Sequence, residues 1–465
     1  MSAPVAMGRV LPTLNQDGSR NWIRPKPAAG VWWQRRRIVA YSLMALFLSL
    51  PHIRINGMPA IQLDLPRRHF TILGTTFLPT DTLLLMLLLA SAVVSIFLFS
   101  ALFGRVWCGW ACPQTVYMEF VFRPLERLLE GGRSGSLIID KNRDRFNPRR
   151  LLKYAVYLAI SAFLANTFLA YFVGAEAIEA WVRLSPYQHP TPFLVMAATT
   201  ALVFYDFTYF REQTCLIACP YGRWQSALLD NESLIVAYDA YRGEPREHAV
   251  KDRSAKAGDC VACNACVTTC PTGIDIRNGL QMECIHCTQC IDACDSIMDK
   301  VGKPRGLIRY ASRDQLAGKA RHLLRPRTIV YPAVLVLLLG GFIFALETKA
   351  KADVMILRSQ AEPFSIELDG RVSNQVRVKI ANRSLRDHAY AISILGADSA
   401  QVIAPESPLT VKAGEQRTTS VFVLLPRSAF NAGRRDIRVR IADGSDYTED
   451  FPFNLLGPTP IPAVP

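Results

Sequence analysis

Eight of the twelve cysteines in this chain lie in two short runs whose spacing is that of iron–sulfur ligands. The first run has the pattern C-x2-C-x2-C-x3-C-P and consists of Cys260, Cys263, Cys266 and Cys270. The second run repeats this spacing without the proline and consists of Cys284, Cys287, Cys290 and Cys294. In proteins with two such runs, the fourth cysteine of each run binds the cluster of the other run. The pattern therefore predicts two four-iron clusters and a protein that carries electrons one at a time.

Each predicted ligand group therefore combines the first three cysteines of one run with the fourth cysteine of the other. The first cysteine set comprises Cys260, Cys263, Cys266 and Cys294. The second cysteine set comprises Cys284, Cys287, Cys290 and Cys270. Zinc sites usually offer two Cys-x2-Cys pairs that are well separated, and a disulfide framework needs an oxidising compartment, so both alternatives are disfavoured.

The other four cysteines form two matching C-x3-C-P motifs, each just past an apolar segment. These are CGWACPQT and REQTCLIACPYGRWQ, and their cysteines are Cys108, Cys112, Cys215 and Cys219. A spacing of four places two thiols on one face of a helical turn, and Pro113 and Pro220 are expected to close the turns. If the preceding helices pack together, these four candidate catalytic thiols converge at one membrane surface. Three roles are open for these thiols. They pack between helices as small apolar side chains, act as redox-active dithiols, or bind a soft metal, either a further iron–sulfur centre or cuprous copper.

Half of the 465 residues are hydrophobic, and several segments are long enough to cross a bilayer as helices. Four of these segments are clear, namely 83–103, 154–173, 193–210 and 328–346. A fifth, from about residue 37 to 55, is apolar only as far as Leu50. We include it because Trp32 and Trp33 resemble an interfacial belt and the arginines at 35–37 resemble a cytoplasmic stop. The sequence therefore predicts about five membrane helices, with four as the alternative.

The distribution of basic residues predicts the orientation. Residues 105–153 contain ten Lys or Arg and the cysteine-rich segment 211–327 is also basic, whereas the loops on the opposite side carry fewer. By the positive-inside rule, the amino terminus and the clusters are cytoplasmic and the carboxyl-terminal region lies outside. The formal net charge of +14 then reflects topology and attraction to anionic lipid. No reading helix or stacking motif accompanies it, so a nucleic-acid partner is not expected.

These patterns divide the chain into five predicted regions. They are a cytoplasmic tail (1–36), a four-helix membrane region (37–210), a cytoplasmic region (211–327) with a ferredoxin-type domain (258–298), a fifth helix (328–346) and a β-domain (353–460). In the β-domain, apolar residues such as Val376, Val378 and Ile380 alternate with polar ones between turn residues. This alternation predicts an immunoglobulin-like β-sandwich that serves as a docking or structural module.

Five polar residues outside the cysteine motifs are weaker candidates. Asp206 is an intramembrane carboxylate and so a functional candidate, although it can also pair with the nearby Arg211. His52 and His69 lie on the predicted outer side, where they could bind copper or a quinone headgroup. His286 could donate to a cluster sulfur or simply be a solvated loop residue. Asp295, which replaces the usual proline after the second run, is expected to lower the potential of the cluster beside it.

The two C-x3-C-P motifs, the double ferredoxin run and the β-rich tail resemble, in this order, the FixG/RdxA/CcoG accessory proteins of cbb-type cytochrome c oxidase. The resemblance extends from about Trp33 to the end of the chain. It implies a bacterial inner-membrane protein with a periplasmic β-domain and two four-iron clusters on the eight cysteines. Such a protein would reduce cupric to cuprous copper on the cytoplasmic side during maturation of the oxidase. Its partners would be the copper ion, oxidase subunits and copper-handling proteins.

Three functional hypotheses follow. The first is an enzyme, a cupric reductase that uses the four C-x3-C-P cysteines. The second is quinol oxidation, because the membrane half is also similar to NapH-like quinol dehydrogenase subunits. The third is an oxidase-assembly scaffold whose clusters are structural. No glycine-rich dinucleotide fingerprint precedes a helix, so the electron donor is not identified, and a homodimer is left open.

Overall fold

The computed structural model describes residues 12–15, 17, 19–55, 57–65, 69–77, 81–141, 147–247, 257–319, 325–348, 351–359, 362–384, 386–444 and 447–458. The chain divides into two compact units, 1–343 and 344–465. The first unit contains the apolar helices and all twelve cysteines. The second unit consists of β-strands around a core of its own.

The helices of the first unit vary widely in length. They are α1 (Val31–Ser49), α2 (Thr82–Phe103), α3 (Val106–Trp110), α4 (Pro113–Tyr117), α5 (Arg123–Glu130), α6 (Gly132–Lys141), α7 (Pro148–Val173), α8 (Ala175–Arg183), α9 (Pro190–Tyr205), α10 (Pro220–Leu228), α11 (Ala240–Gly243), α12 (Ala265–Thr268), α13 (Gln289–Lys300), α14 (Arg313–Leu316) and α15 (Pro326–Glu347), which ends just beyond the unit boundary. Three π-helical turns accompany them, at Met118–Phe122, Asp206–Phe210 and Thr214–Ala218. All three turns adjoin a C-x3-C-P motif, and π-turns frequently occur at functional sites.

Within the described residues, four helices are long and apolar enough to cross a membrane. They are α2, α7, α9 with its π-turn, and α15. These four helices match the four clear apolar segments of the sequence. The predicted bundle of membrane helices is confirmed for these four. The fifth segment forms α1, which begins at Val31 rather than near residue 37 and ends at Ser49, before Pro51. Because the arginines at 35–37 lie inside α1, it is not among the four, and a fifth span stays a prediction.

The start of α1 is held by a carboxylate from the cysteine-rich region. The backbone N–H groups of Trp32 and Trp33 donate to the two oxygens of Asp292 in α13, at 3.2 and 2.7 Å. Arg36 is buried and its Nε donates to the carbonyl oxygen of Gly109 at 3.0 Å. The first turns of α1 therefore pack on protein through Arg36, whereas Arg35 and Arg37 are exposed and the cytoplasmic stop stays a prediction.

The segment between α1 and α2 folds into small β-structures that the sequence did not predict. The hairpin consists of β1 (Arg54–Ile55) and β2 (Met58–Pro59), and the antiparallel sheet of β3 (Ile61–Asp64), β4 (His69–Ile72) and β5 (Thr75–Phe77). Strands of two to four residues are too short to show a period of two. The sheet packs against α7 through β3.

Two strands far apart in sequence close the cysteine-rich region. Strand β6 (Ile235–Tyr238) pairs antiparallel with β7 (Ile308–Ala311). Both strands lie outside the predicted ferredoxin-type domain (258–298). They contribute Val236, Tyr238 and Ile308 to the core around the cysteines. The apolar wall of this small domain therefore comes partly from outside the cysteine runs.

The second unit is a β-sandwich, as predicted. One sheet has the order β12 (Gln401–Ile403), β14 (Gln416–Leu425), β10 (Val372–Asn382) and β8 (Ala352–Arg358), with β9 (Ser365–Ile366) also on β10. The other has the order β13 (Leu409–Val411), β11 (His388–Leu395), β15 (Arg434–Ala442) and β16 (Thr448–Leu456). The alternating residues Val376, Val378 and Ile380 are fully buried between the sheets, which confirms the period-two interpretation.

Candidate redox centre

The four members of the first cysteine set line one small cavity. The cavity walls also include Tyr238 from β6, Met298 from α13 and Ile308 from β7. Ala262 and Asn264 take left-handed backbone conformations, which bend the loop between the cysteines around the cavity. Cys263 is exposed and the other three cysteines are buried. The structure therefore brings Cys294 to the first run, as the exchanged pattern requires.

The second cysteine set lines another small cavity, shared with Cys266. Its members come from two places, Cys270 at the end of the first run and the other three from the second run. His286 and Thr288 have left-handed backbone conformations that turn the second run around the cavity. Both predicted sets are thus brought together in space, and the assignment of each thiol as an iron ligand stays a proposal.

The donor sets fit iron–sulfur clusters rather than single ions. Burial raises the pKa of Cys284 and Cys294 to about 12 and that of Cys266 to about 11. Such thiols ionise at neutral pH only when a metal stabilises the thiolate. Across the described part of the chain, no three Cys, His, Asp or Glu side chains are placed to hold one metal ion. A four-iron cluster is larger than an ion, so its ligands stand further apart, and bound there it would supply one-electron redox chemistry.

Each C-x3-C-P motif spans a break between two helical segments. Cys108 lies in α3 and Cys112 precedes α4, whereas Cys215 lies in a π-turn and Cys219 precedes α10. Pro113 and Pro220 are therefore the first residues of new helices, a position where the missing N–H costs nothing. The prolines therefore close the turns, as expected, and the backbone N–H groups of Cys112 and Cys219 donate to the carbonyl oxygens of Trp107 and Thr214 at 2.9 and 2.8 Å.

The four thiols lie near one another, because the charges of the other three all act on Cys215. We call this group the four-thiol site (Cys108, Cys112, Cys215 and Cys219). Burial and these charges together raise the pKa of Cys215 to about 12. Burial likewise raises the pKa of Cys108 and Cys112, and the thiol of Cys219 adds to both effects. The Sγ of Cys108 lies 3.1 Å from Oε1 of Gln225, to which it donates. A buried group of thiols offers soft ligands to a cation, and each thiol that binds the cation would release its proton.

The four-thiol site adjoins the second cysteine set directly. Cys108 packs in one buried group with Ile285 and Cys287. A Cβ atom added to Gly109 would lie 2.5 Å from the carbonyl oxygen of Ile285 and 2.9 Å from the Cα of Cys287. Only glycine fits at this contact without a shift of one backbone against the other. The glycine of CGWACP therefore lets the motif approach the loop of the second run.

A buried ionic network joins the two motifs to α5 and α7. Arg211 pairs with Glu126 at 3.0 Å, and Arg123 pairs with Glu212 at 3.2 Å. Lys153 of α7 pairs with Glu130 at 2.6 Å. Sequence reasoning missed this network, although Arg211 and Glu212 stand immediately before the second motif. Removing one partner of a buried pair is strongly destabilising, so the network fixes the motifs in place.

The isolated candidates fall in different surroundings. His286 is fully buried and accepts at Nδ1 from the backbone N–H of Arg105 at 3.1 Å, so the solvated-loop alternative is wrong. Asp295 accepts from the backbone N–H of Gly306 at 2.9 Å, and its charge contributes to the raised pKa of Cys294. His69 lies in β4, within the small sheet.

His52 lines a larger cavity, of about 600 Å³, around the carboxyl-terminal half of α7. Polar groups in its wall include Gln62 and Asn166, whose Oδ1 is buried without a hydrogen-bond partner among the described residues. Lys153 lies near the amino-terminal end of α7 and belongs to the buried ionic network, in which it pairs with Glu126. This end of α7 is therefore the one beside the C-x3-C-P motifs. The 13 residues from Lys153 to Asn166 correspond to about 20 Å of helix, so this cavity is remote from the four thiols.

Family models match three parts of the chain. A 4Fe-4S dicluster domain matches residues 210–313, a 4Fe-4S binding domain matches 83–131, and the immunoglobulin-like fold at the carboxyl terminus of FixG matches 342–458. The match at 83–131 contains Cys108 and Cys112 and no other cysteine. The iron–sulfur character and the β-sandwich predicted from the sequence are thereby confirmed.

Relatives match over most of the chain. Protein RdxB of Cereibacter sphaeroides is 34% identical over 464 residues, covering 94% of this chain and 97% of the relative. The nitrogen fixation protein FixG of Rhizobium meliloti is 32% identical, covering 94% of this chain and 93% of the relative. A solved FixG-related protein from Vibrio parahaemolyticus is 16% identical, with a TM-score of 0.22, and covers 23% of this chain and 97% of that chain.

Proposed function

Because the chain belongs to the FixG/RdxA family, we propose that this iron–sulfur membrane protein reduces cupric to cuprous copper at the four-thiol site. The observation that carries the proposal is that Cys108 lies in one buried group with Ile285 and Cys287, where the neighbouring Gly109 meets the backbone of the second run. It places a group of soft ligands beside a predicted one-electron carrier. The cuprous product would then serve the assembly of a cbb-type cytochrome c oxidase.

The ligand chemistry supports copper as the substrate. Thiolates prefer cuprous ion, whereas cupric ion prefers nitrogen and oxygen ligands. Reduction needs one electron for each ion and breaks no covalent bond, and each thiol that binds copper releases its proton. Clusters bound by the two cysteine sets would supply single electrons, replenished by a low-potential one-electron carrier. The four-thiol site would hold the product and keep it from water.

The decisive experiment uses the full-length protein, purified anaerobically in detergent and reduced with dithionite that is then removed. Cupric ion is added, and a cuprous-specific chelator reports the product while absorbance follows cluster oxidation. We expect about one cuprous ion per cluster electron, and at least tenfold slower formation in Cys108→Ser and Cys215→Ser, with iron content unchanged. Ser95→Ala, within α2, is the matched control and is expected to behave as the parent protein.

Full activity in both cysteine variants would contradict the proposal and leave packing as the role of these thiols. Clusters that dithionite cannot reduce would favour the scaffold hypothesis instead. Variants that lose a third iron–sulfur signal would assign the four thiols to a further cluster. That outcome has support in the 4Fe-4S family match across Cys108 and Cys112, and it would also overturn copper binding at these thiols.

Quinol oxidation is the second candidate, favoured by the cavity beside α7. A quinol hydroxyl could donate to the unpartnered Oδ1 of Asn166, and His52 could accept from the other hydroxyl. The distance along α7 separates this cavity from the four-thiol site, which makes quinol a weaker proposal. A quinol-oxidation rate that falls in Asn166→Leu would support it.

A further inference from the structure

Asp206 lies where the two C-x3-C-P motifs meet. It begins the π-helical turn Asp206–Phe210 at the end of α9. Its Oδ1 accepts from the hydroxyl of Thr214, the residue before Cys215. The side chain of Gln114, which follows Cys112 and Pro113, donates from Nε2 to the carbonyl oxygen of Arg211 at 3.0 Å. The carboxylate therefore contacts a neighbour of the second motif, and the first motif reaches the same 206–214 segment through Gln114.

The charge of Asp206 has no cationic partner among the described residues. The nearest candidate in sequence, Arg211, is engaged by Glu126 at 3.0 Å and by Glu212 at 3.5 Å. The alternative in which Asp206 pairs with Arg211 is therefore wrong. A half-buried carboxylate at the end of a membrane span is costly unless a cation compensates it.

The four-thiol site is the place where such a cation would bind. The carboxylate of Asp206 accepts from the hydroxyl of Thr214, which is bonded directly to Cys215 in the chain, and the charge of Asp206 also acts on Cys112. A carboxylate and four thiols together offer both classes of copper ligand, oxygen for the cupric and sulfur for the cuprous state. Neither class alone suits an ion that must be received in one state and held in the other.

We propose that Asp206 supplies an oxygen ligand to cupric ion at the four-thiol site and loses that contact when the ion is reduced. The inference rests on the proposed function and assigns the residue that receives the substrate. The ion must draw the ligands closer together, because no three of them are placed to hold a single ion as described. The π-turns that carry Asp206 and Cys215 are the backbone segments best suited to this adjustment.

The test measures binding in the full-length protein with oxidised clusters, so it does not depend on turnover. Nickel(II) serves as the probe for the cupric state because it shares the preference for nitrogen and oxygen ligands but is not reduced. Cuprous ion, delivered anaerobically from a competing chelator, is the second probe. The variant Asp206→Asn keeps an oxygen that accepts from Thr214 and removes the charge.

We expect Asp206→Asn to weaken nickel(II) binding at least tenfold, the range by which supporting groups tune metal sites, and to leave cuprous affinity within twofold. Glu179→Gln, at an exposed pair with Arg183 in α8, is the matched control and is expected to change neither. Iron content and the thermal midpoint verify that each variant is folded.

Two results would overturn the inference. Equal losses of nickel(II) and cuprous affinity would make Asp206 a positioning residue that orders the thiols, and unchanged nickel(II) affinity would remove it from the site. Failure of the proposed function has a different signature, namely copper reduction that persists in Cys108→Ser and Cys215→Ser.

Discussion

The guanidinium of Arg123 donates to the carbonyl oxygen of Pro271, the residue that follows Cys270, at 3.2 Å. The same side chain is buried and pairs with Glu119 and Glu212. Arg123 thus connects α5 to the turn that delivers Cys270 to the second cysteine set. The position of this cysteine depends on a charge from outside the ferredoxin runs.

We predict that Arg123→Met destabilises the first unit by about 3–5 kcal/mol, because two buried carboxylates each lose one of their partners. The expected result is a lower thermal midpoint together with loss of iron from the second cysteine set. Arg183→Met, which breaks the exposed pair with Glu179, is expected to cost less than about 1 kcal/mol. Equal effects of the two changes would contradict the structural role of Arg123.

Gly109→Ala is predicted to separate CGWACP from the loop of the second run, because the new methyl group meets backbone atoms 2.5–2.9 Å away. We expect the iron content to fall from about eight towards about four atoms per chain as the second set loosens. Gly340→Ala in α15, where nothing lies within 4 Å of the added Cβ, is the control. An iron content and cluster spectrum that match the control would argue against a tight contact.

If the fourth cysteine of each run binds the cluster of the other run, pairs of substitutions in different runs should change the same cluster signal. Cys270→Ser and Cys287→Ser are expected to perturb the same cluster signal in electron paramagnetic resonance spectra. Cys294→Ser and Cys260→Ser are expected to perturb the other signal, because Cys294 lines the cavity of the first set. If each run binds its own cluster, Cys270→Ser will instead resemble Cys260→Ser.

His286 predicts an acid sensitivity of the cysteine-rich region. Burial lowers the pKa of His286 to about 3, and Arg105 adds to the effect. In the unfolded chain this histidine binds a proton as the pH falls below about 6.5, whereas in the folded chain it stays neutral. The free energy of unfolding therefore decreases below that pH, by up to about 1.4 kcal/mol per pH unit. In His286→Asn, whose amide oxygen can still accept from the N–H of Arg105, we expect the thermal midpoint to fall less between pH 7 and 5.5. Identical slopes would exclude His286 as the cause.

Local patterns carried most of the successful prediction. The cysteine spacing and the alternation of Val376, Val378 and Ile380 are properties of a few neighbouring residues, and each has one common structural solution. Apolar length similarly predicted α2, α7, α9 and α15. The four-thiol site followed from two matching motifs at helix ends, without any knowledge of which side chains surround them.

The errors concern contacts between residues far apart in sequence. His286 is buried only because its loop packs against the turn at Gly104 and Arg105. Arg211 pairs with Glu126, 85 residues away, rather than with the nearby Asp206. No local spacing encodes such pairings, so a single sequence gives no signal for them.

The capping of α1 by Asp292 has a consequence for the order of synthesis. Trp32 and Trp33 are translated about 260 residues before the carboxylate that accepts their N–H groups. The beginning of α1 therefore cannot dock until α13 has left the ribosome and formed. If iron is needed to form α13, a chain made without iron would keep its amino-terminal helix undocked, and exposure of residues 30–36 to protease would report on cluster insertion in the cell.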